Sequence, residues 1–258
     1  MRQKNLVELS QKLEFILSTK GVKPHSYYAW LNEYGEISVM EQLLIAQGMP
    51  LIKHSGRFIF KTSITEIKDE IFCIVDIETN GSKPEKNQII EIGAIKLQNG
   101  KIIDTFSSLI HTDKMNKTIT NVTGITLEML KDAPKLKPIM YKFKEFLGQT
   151  IFVAHDVKFD YGFISHTLDE LGLEPIRNRK LCTIDLAERT IAQKRYGLGY
   201  LNKELNLYPD ANHHRALDDA QMTTNLLKIL IDKKDKNVTT TEDLIRFSKQ
   251  APRVPKKN

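Results

Sequence analysis

Cysteine is scarce in this chain and long apolar runs are missing. The two cysteines, Cys73 and Cys182, each lie inside an apolar stretch that reads as a strand. Neither has CxxC spacing or a histidine pair nearby, which argues against a disulfide framework or a structural zinc and for two reduced core residues. No stretch approaches the roughly 18 uninterrupted apolar residues that a membrane span requires. The N-terminal MRQKNLVELSQKLE has no apolar run of the secretory type, so the expected location is cytoplasmic. Internal repeats and low-complexity tracts are also missing, and with them solenoid, collagen-like and wholly disordered organisations.

What is present fits a soluble globular protein. Of 258 residues, 41% are hydrophobic and 27% charged, close to ordinary averages, and the length suits one substantial domain plus a small second one. The formal charge of +6 is unevenly spread, with +2 in residues 1–66, −1 in 67–232 and +5 in 233–258. A basic tail suits a polyanion or an acidic partner, or simply keeps the terminus in solution.

Leu6, Leu9, Leu13, Ile16 and Leu17 recur at helical spacing, as do Val39, Leu43, Leu44 and Ile45 up to Gly48. Residues 50–60 then read as strand, glycine-containing turn and strand, so residues 1–66 are expected to form a small helical, winged-helix-like module. From Ile71 three β-rich runs follow, 71–77, 89–97 and 102–110, with Gln98-Asn99-Gly100 as the turn between the last two. Strands at 150–154 and 180–183 alternate with helical patterns near 126–130, 138–147, 158–171, 184–192, 198–204 and 216–231. Such a succession predicts an α/β fold, a mixed sheet with helices on both faces, over residues 67–232. Residues 233–237 read as a solvated linker. Thr240 and Asp243 offer a capping pair ahead of Leu244, Ile245 and Phe247, so the tail predicts a short amphipathic helix that either docks a partner or packs on its own domain.

Three motifs carry chemistry. In Asp76-Ile77-Glu78-Thr79-Asn80-Gly81 the two acids fall on one face of a strand whose preceding residues, Phe72 to Val75, are apolar. Carboxylates crowded at a buried strand end favour protonation unless a cation compensates; on an exposed strand they would be only a polar face. Phe152 to Asp160 leads from a buried strand into a helix with Asp160 in its first turns, where the helix dipole alone would also favour an acid. His214-Arg215-Ala216-Leu217-Asp218-Asp219-Ala220 opens the long helix, with Asp219 in its first turns. His214 lies in the loop before it, where a histidine beside metal ions can take a proton from bound water; singly, such a histidine is more often a surface loop residue, and Asp218 and Asp219 more simply partners of the helix dipole.

Together, in this order and spacing, these segments resemble the three exonuclease motifs of the DEDDh superfamily over roughly residues 70–232. With Asn121-Val122-Thr123-Gly124-Ile125-Thr126, they most resemble the epsilon proofreading subunits of bacterial DNA polymerase III. The resemblance implies a ribonuclease H-like five-stranded fold and a two-metal-ion 3′→5′ exonuclease. It implies Asp76, Glu78, Asp160 and Asp219 as ligands of two Mg²⁺ or Mn²⁺ ions, His214 as general base, and Thr79, Ile77 and Phe159 at the terminal nucleotide. It further implies single-stranded or frayed 3′ DNA ends as substrate, proofreading in replication, and a polymerase catalytic subunit as partner through the C-terminal tail. The chain departs at Asp156-Val157, where the superfamily commonly has Asn-Ala; Asp156 adds an acid near the site or caps the helix. Two other readings compete: a stand-alone nuclease for DNA repair or RNA trimming, and an inert nucleic-acid-binding protein.

Overall fold

A computed structural model describes residues 2–209 and 214–256, the side chains of residues 2–7 excepted, so Leu6 of the first apolar stripe lies outside the described side chains. The chain opens with helices α1 (Arg2–Leu17), α2 (Pro24–Asn32) and α3 (Ile37–Ala46), then the hairpin β1 (Leu51–His54) and β2 (Arg57–Phe60). Leu9, Leu13 and Leu17 bury one stripe of α1 against Tyr27, Leu31, Leu44, Phe58 and Phe60. The hairpin closes through Ser55 and Gly56 at φ 46° and 73°, the left-handed pair that matches the twist of a two-residue turn. Helix α2 was not placed by apolar spacing, because only Tyr27 and Leu31 of its nine residues are buried.

The main sheet comprises β3 (Phe72–Thr79), β4 (Ile89–Gln98), β5 (Lys101–Leu109), β6 (Ile151–Ala154) and β7 (Lys180–Cys182), in the order β5-β4-β3-β6-β7. The first three run antiparallel, with Asn99 and Gly100 both left-handed at the β4–β5 turn, while β6 and β7 lie parallel to β3. This is the expected mixed α/β sheet of five strands. The remaining helices are α4 (Lys117–Thr123), α5 (Leu127–Lys131), α6 (Leu136–Leu147), α7 (Val157–Glu170), α8 (Thr183–Thr190), α9 (Leu198–Leu205), α10 (Ala216–Lys233) and α11 (Thr241–Gln250).

Strand alternation splits the core in two. Phe72 and Ile74 face α8 to α11, while Cys73, Val75 and Ile77 face α6 and α7. Both cysteines are free and buried. Helix α4 escaped the sequence reading because Thr118, Ile119, Thr120, Val122 and Thr123 crowd it with β-branched residues. It forms because Asn116 accepts the Ile119 amide at 2.9 Å and Gly124, at φ 70°, ends it.

The tail helix α11 carries the expected capping box between Thr240 and Asp243. Of the two readings of its stripe, the structure shows packing on its own domain: Leu244 and Ile245 are buried with Val238 in the core beneath α8 and α10, so the apolar face is already occupied by the chain itself. Glu242 on the same helix is 3% exposed and pairs with Arg179 just before β7, with Nη2–Oε1 at 2.5 Å and Nε–Oε2 at 3.1 Å. Arg179 also reaches Glu14 of α1 at 2.6 Å, and its guanidinium lies over the Phe60 ring. The Thr62 hydroxyl donates to Glu242 at 2.8 Å. One buried arginine therefore ties the N-terminal helices, the edge of the sheet and the tail together.

Removing one partner of a buried pair costs about 3–5 kcal/mol because the other charge is stranded. Arg179→Met is accordingly expected to lose about that much in urea unfolding followed by fluorescence of Trp30, the only tryptophan. A loss below about 1 kcal/mol, the range of an exposed pair, would show that the junction is not held this way.

Candidate metal centre

The end of β3 supplies the first two acids. Asp76 and Glu78 alternate with buried Ile77 and share the face turned toward α10, and the β3–β4 ladder slips between Glu78 and Thr79, ending the regular strand there. Asp160 arrives from the first turn of α7, where its Oδ1 accepts the Ile77 amide at 3.2 Å. Asp219 arrives from the first turn of α10 and is buried. His214, exposed and left-handed at φ 64°, sits just before that helix. One ligand atom each from Glu78, His214 and Asp219 lie within 4.8 Å of one another. All five residues picked from the sequence thus come from three distant segments to one place.

The electrostatics are those of a cation seat. Burial pushes Asp76 well above the usual carboxylate range, and Asp160, Asp219, Glu78 and Glu91 push it further. Glu78 rises to about 8, through burial first and then Asp219, Glu91 and Asp160, with Arg215 pulling the other way. Asp160 rises to about 8 through burial, which its backbone hydrogen bonds only partly offset. A group of acids that resist ionisation when alone, built of oxygen donors with one imidazole beside them, fits hard divalent cations such as Mg²⁺ or Mn²⁺.

Three residues expected at the nucleotide are placed differently from one another. Phe159 is exposed, one residue before Asp160, its ring 5.8 Å from that of Phe163. Ile77 packs its side chain into the core and offers the site only its amide. The Thr79 hydroxyl is spent on the Gly81 carbonyl at 2.8 Å. Asp156 stands at the N-cap of α7 but its side chain makes no capping bond there, which corrects the capping reading; its charge instead adds to the upward push on Asp160.

Sequence reasoning passed over two residues. His155 is a neutral core histidine, pushed down to about 4 by burial, with Nδ1 2.9 Å from the Thr183 hydroxyl and Nε2 2.8 Å from the Tyr196 carbonyl. The carbonyl can only accept, so Nε2 carries the proton and Nδ1 accepts from Thr183. Glu91, an acid within an apolar strand, is buried and paired with Arg215. Its signal was the single charge between Ile90 and Ile92.

The profile of the family described as Exonuclease (RNase_T) matches residues 73–227. The PolC-type DNA polymerase III of Staphylococcus haemolyticus is 34% identical over 209 residues, which is 80% of this chain and 14% of that protein. Its Staphylococcus epidermidis counterpart is 36% identical over 187 residues, 71% of this chain and 12% of that protein. The chain therefore spans about one seventh of the length of these relatives. Among solved structures, Exonuclease X in complex with 5′ overhanging duplex DNA superposes with a TM-score of 0.56 at 25% identity, covering 69% of this chain and 99% of that one. Escherichia coli Exonuclease I in complex with a dA16 oligonucleotide shares the fold, with a TM-score of 0.57 at 16% identity over 64% of this chain and 42% of that one.

The raised carboxylates set a pH dependence. Where the native pKa lies above the unfolded one, the native state holds protons that the unfolded state has released, so the stability that group contributes falls as pH rises between the two values and is gone above the higher. For Glu78 and Asp160 that window runs from the ordinary carboxylate range to about 8. In EDTA, Asp76→Asn should melt about 3–6 °C above wild type at pH 8, with a smaller difference at pH 5. Mg²⁺ should raise wild-type melting most at pH 8. Equal melting of both proteins across that range would contradict the crowding.

Proposed function

This chain belongs to the exonuclease family, and from that membership we propose that it removes nucleoside 5′-monophosphates from the 3′ ends of DNA. The observation that carries the proposal is the meeting of Asp76, Glu78, Asp160 and Asp219 in one desolvated cluster, with the exposed His214 beside Glu78 and Asp219. Asp76, Glu78, Asp160 and Asp219 would hold two Mg²⁺ or Mn²⁺ ions. Bound there, such ions stabilise charge on the scissile phosphate and acidify the attacking water.

The chain's own residues do the rest. His214 is exposed two residues before α10, where an imidazole nitrogen takes the proton of the attacking water and passes it to bulk. Phe159 offers an aromatic face to the terminal base, and such stacking tolerates any sequence. The Ile77 amide fixes the Asp160 carboxylate, so that this ligand need not be ordered when substrate arrives.

Proofreading in DNA replication is the biological role we assign, supported by the PolC-type relatives and by the motif resemblance. A pocket that takes an unpaired 3′ end removes mismatched termini faster because they fray more easily, so single-strand preference itself gives editing selectivity. A polymerase partner belongs to this reading. With the α11 stripe occupied, contact through the tail falls to its exposed cations, Arg253 paired with Glu188 and Lys256 over Tyr196. A stand-alone nuclease for DNA repair or RNA trimming is the second reading; what supports it is the fold shared with Exonuclease X, a structure in complex with 5′ overhanging duplex DNA.

The test is digestion of a 3′-labelled single strand, a matched primer and a mismatched primer, with RNA alongside and EDTA as control. Labelled mononucleotide should appear first from the single strand and the mismatch, and EDTA should abolish it. His214→Ala should lower kcat by about 10²–10⁴-fold. Release from 5′ ends, or digestion that survives EDTA, would overturn the assignment.

A further inference from the structure

Glu91 on β4 lies directly opposite Glu78 on β3 and is 2% exposed. Two acids facing one another across strands normally destabilise a sheet. Glu91 is fully engaged on its other side. Arg215 Nη2 donates to its Oε1 at 2.7 Å, Arg215 Nε lies 3.2 Å from both oxygens, and the Ala216 amide donates to Oε2 at 3.1 Å. Arg215 is the N-cap of α10 and Ala216 its first residue, so one buried carboxylate holds both the side chain and the backbone at the start of the helix.

Two residues along the same face of β4, Gly93 lets the helix come close. A Cβ there would stand 2.4 Å from the Ala216 carbonyl carbon and the Leu217 nitrogen, too near for any side chain. β4 therefore carries a grip and a notch for the same turn of α10. His214 is the residue before Arg215, and Asp219 follows Ala216 by three, so both groups of the centre that α10 supplies are set by that turn.

We propose that Glu91 is a positioning residue of the exonuclease centre: through Arg215 and the Ala216 amide it fixes His214 and Asp219 over Asp76 and Glu78, and holds no metal itself. Gln at position 91 keeps an acceptor for the amide and for one guanidinium hydrogen; Ala keeps neither. The proposal rests on the exonuclease reading above, and wild-type activity, measured in parallel, separates failure of that reading from failure of this one.

The experiment compares Glu91→Ala, Glu91→Gln and Arg215→Gln for kcat and KM on single-stranded DNA, and for the Mg²⁺ concentration that half-saturates the rise in melting temperature. Glu91→Ala should lose about 100-fold in kcat with little change in KM, the scale of a displacement near 1 Å at reacting groups. Its Mg²⁺ midpoint should rise by about tenfold or more. Glu91→Gln should recover to within about tenfold of wild type in both, and amide exchange at residues 216–219 should quicken in Glu91→Ala alone. If Glu91→Gln were as damaged as Glu91→Ala, Glu91 would be a ligand and the proposal would fall. It would fall equally if folded Glu91→Ala matched wild type in kcat and metal midpoint. Should Glu91→Ala not fold, Arg215→Gln, made from the solvent side, carries the test: an unchanged kcat and midpoint there would overturn the proposal.

Discussion

Everything in this structure is arranged around one electrostatic difficulty, the gathering of several carboxylates in a pocket too desolvated to ionise them readily. Strand alternation alone delivers two acids to one face of β3. The other two come from helix starts, and that choice has a physical reason. The first turn of a helix presents amides and a partial positive charge, so Asp160 on α7 and Asp219 on α10 stand where a buried acid costs least. The sheet supplies rigidity, and the helix ends soften the repulsion without removing it. The remaining strain leaves the pocket with a standing preference for cations.

The same logic explains the edges of the molecule. β7 is short and marginal as an outer strand, with only Lys180 to Cys182 in register against β6. An edge of this kind invites pairing with other chains unless it is covered. Here Arg179, at its start, gathers carboxylates from both ends of the polypeptide, Glu14 from the first helix and Glu242 from the last. Terminal segments that a sequence would suggest are free appendages are thereby made part of the catalytic unit's support. Trimming the tail to look for a lost partner would also strip Leu244 and Ile245 from the core, so a changed interaction could not be separated from a damaged fold.

Much of this was legible in the residues themselves. The five strands, the Asn99-Gly100 turn and the three acidic segments follow from local pattern, because a buried strand ending in acids and a helix opening on an acid are local signals. Other features were not. Helix α2 buries only two residues, and α4 is built from β-branched residues, so neither shows helical apolar spacing. The destination of the α11 stripe depends on which surface lies within reach, which periodicity does not encode. The role of Asp156 turns on backbone geometry: at φ 74° and ψ 64° it is left-handed, a conformation that Asn and Asp tolerate better than most residues. That tolerance accounts for an Asp where the superfamily commonly has Asn, with no need for a capping bond.

Glu91 was the hardest to read, because in sequence it is the same kind of residue as the four acids beside it. What separates them is a cation, Arg215. Arg215 is committed to Glu91 by three contacts, and the first amide of α10 adds a fourth. That pair is internally neutral and can therefore be structural. Asp76, Glu78, Asp160 and Asp219 then bring four formal negative charges when ionised, which two divalent cations would balance. Divalent cations would relieve that charge, and there is less of it to relieve because Glu91 and Arg215 largely cancel one another first.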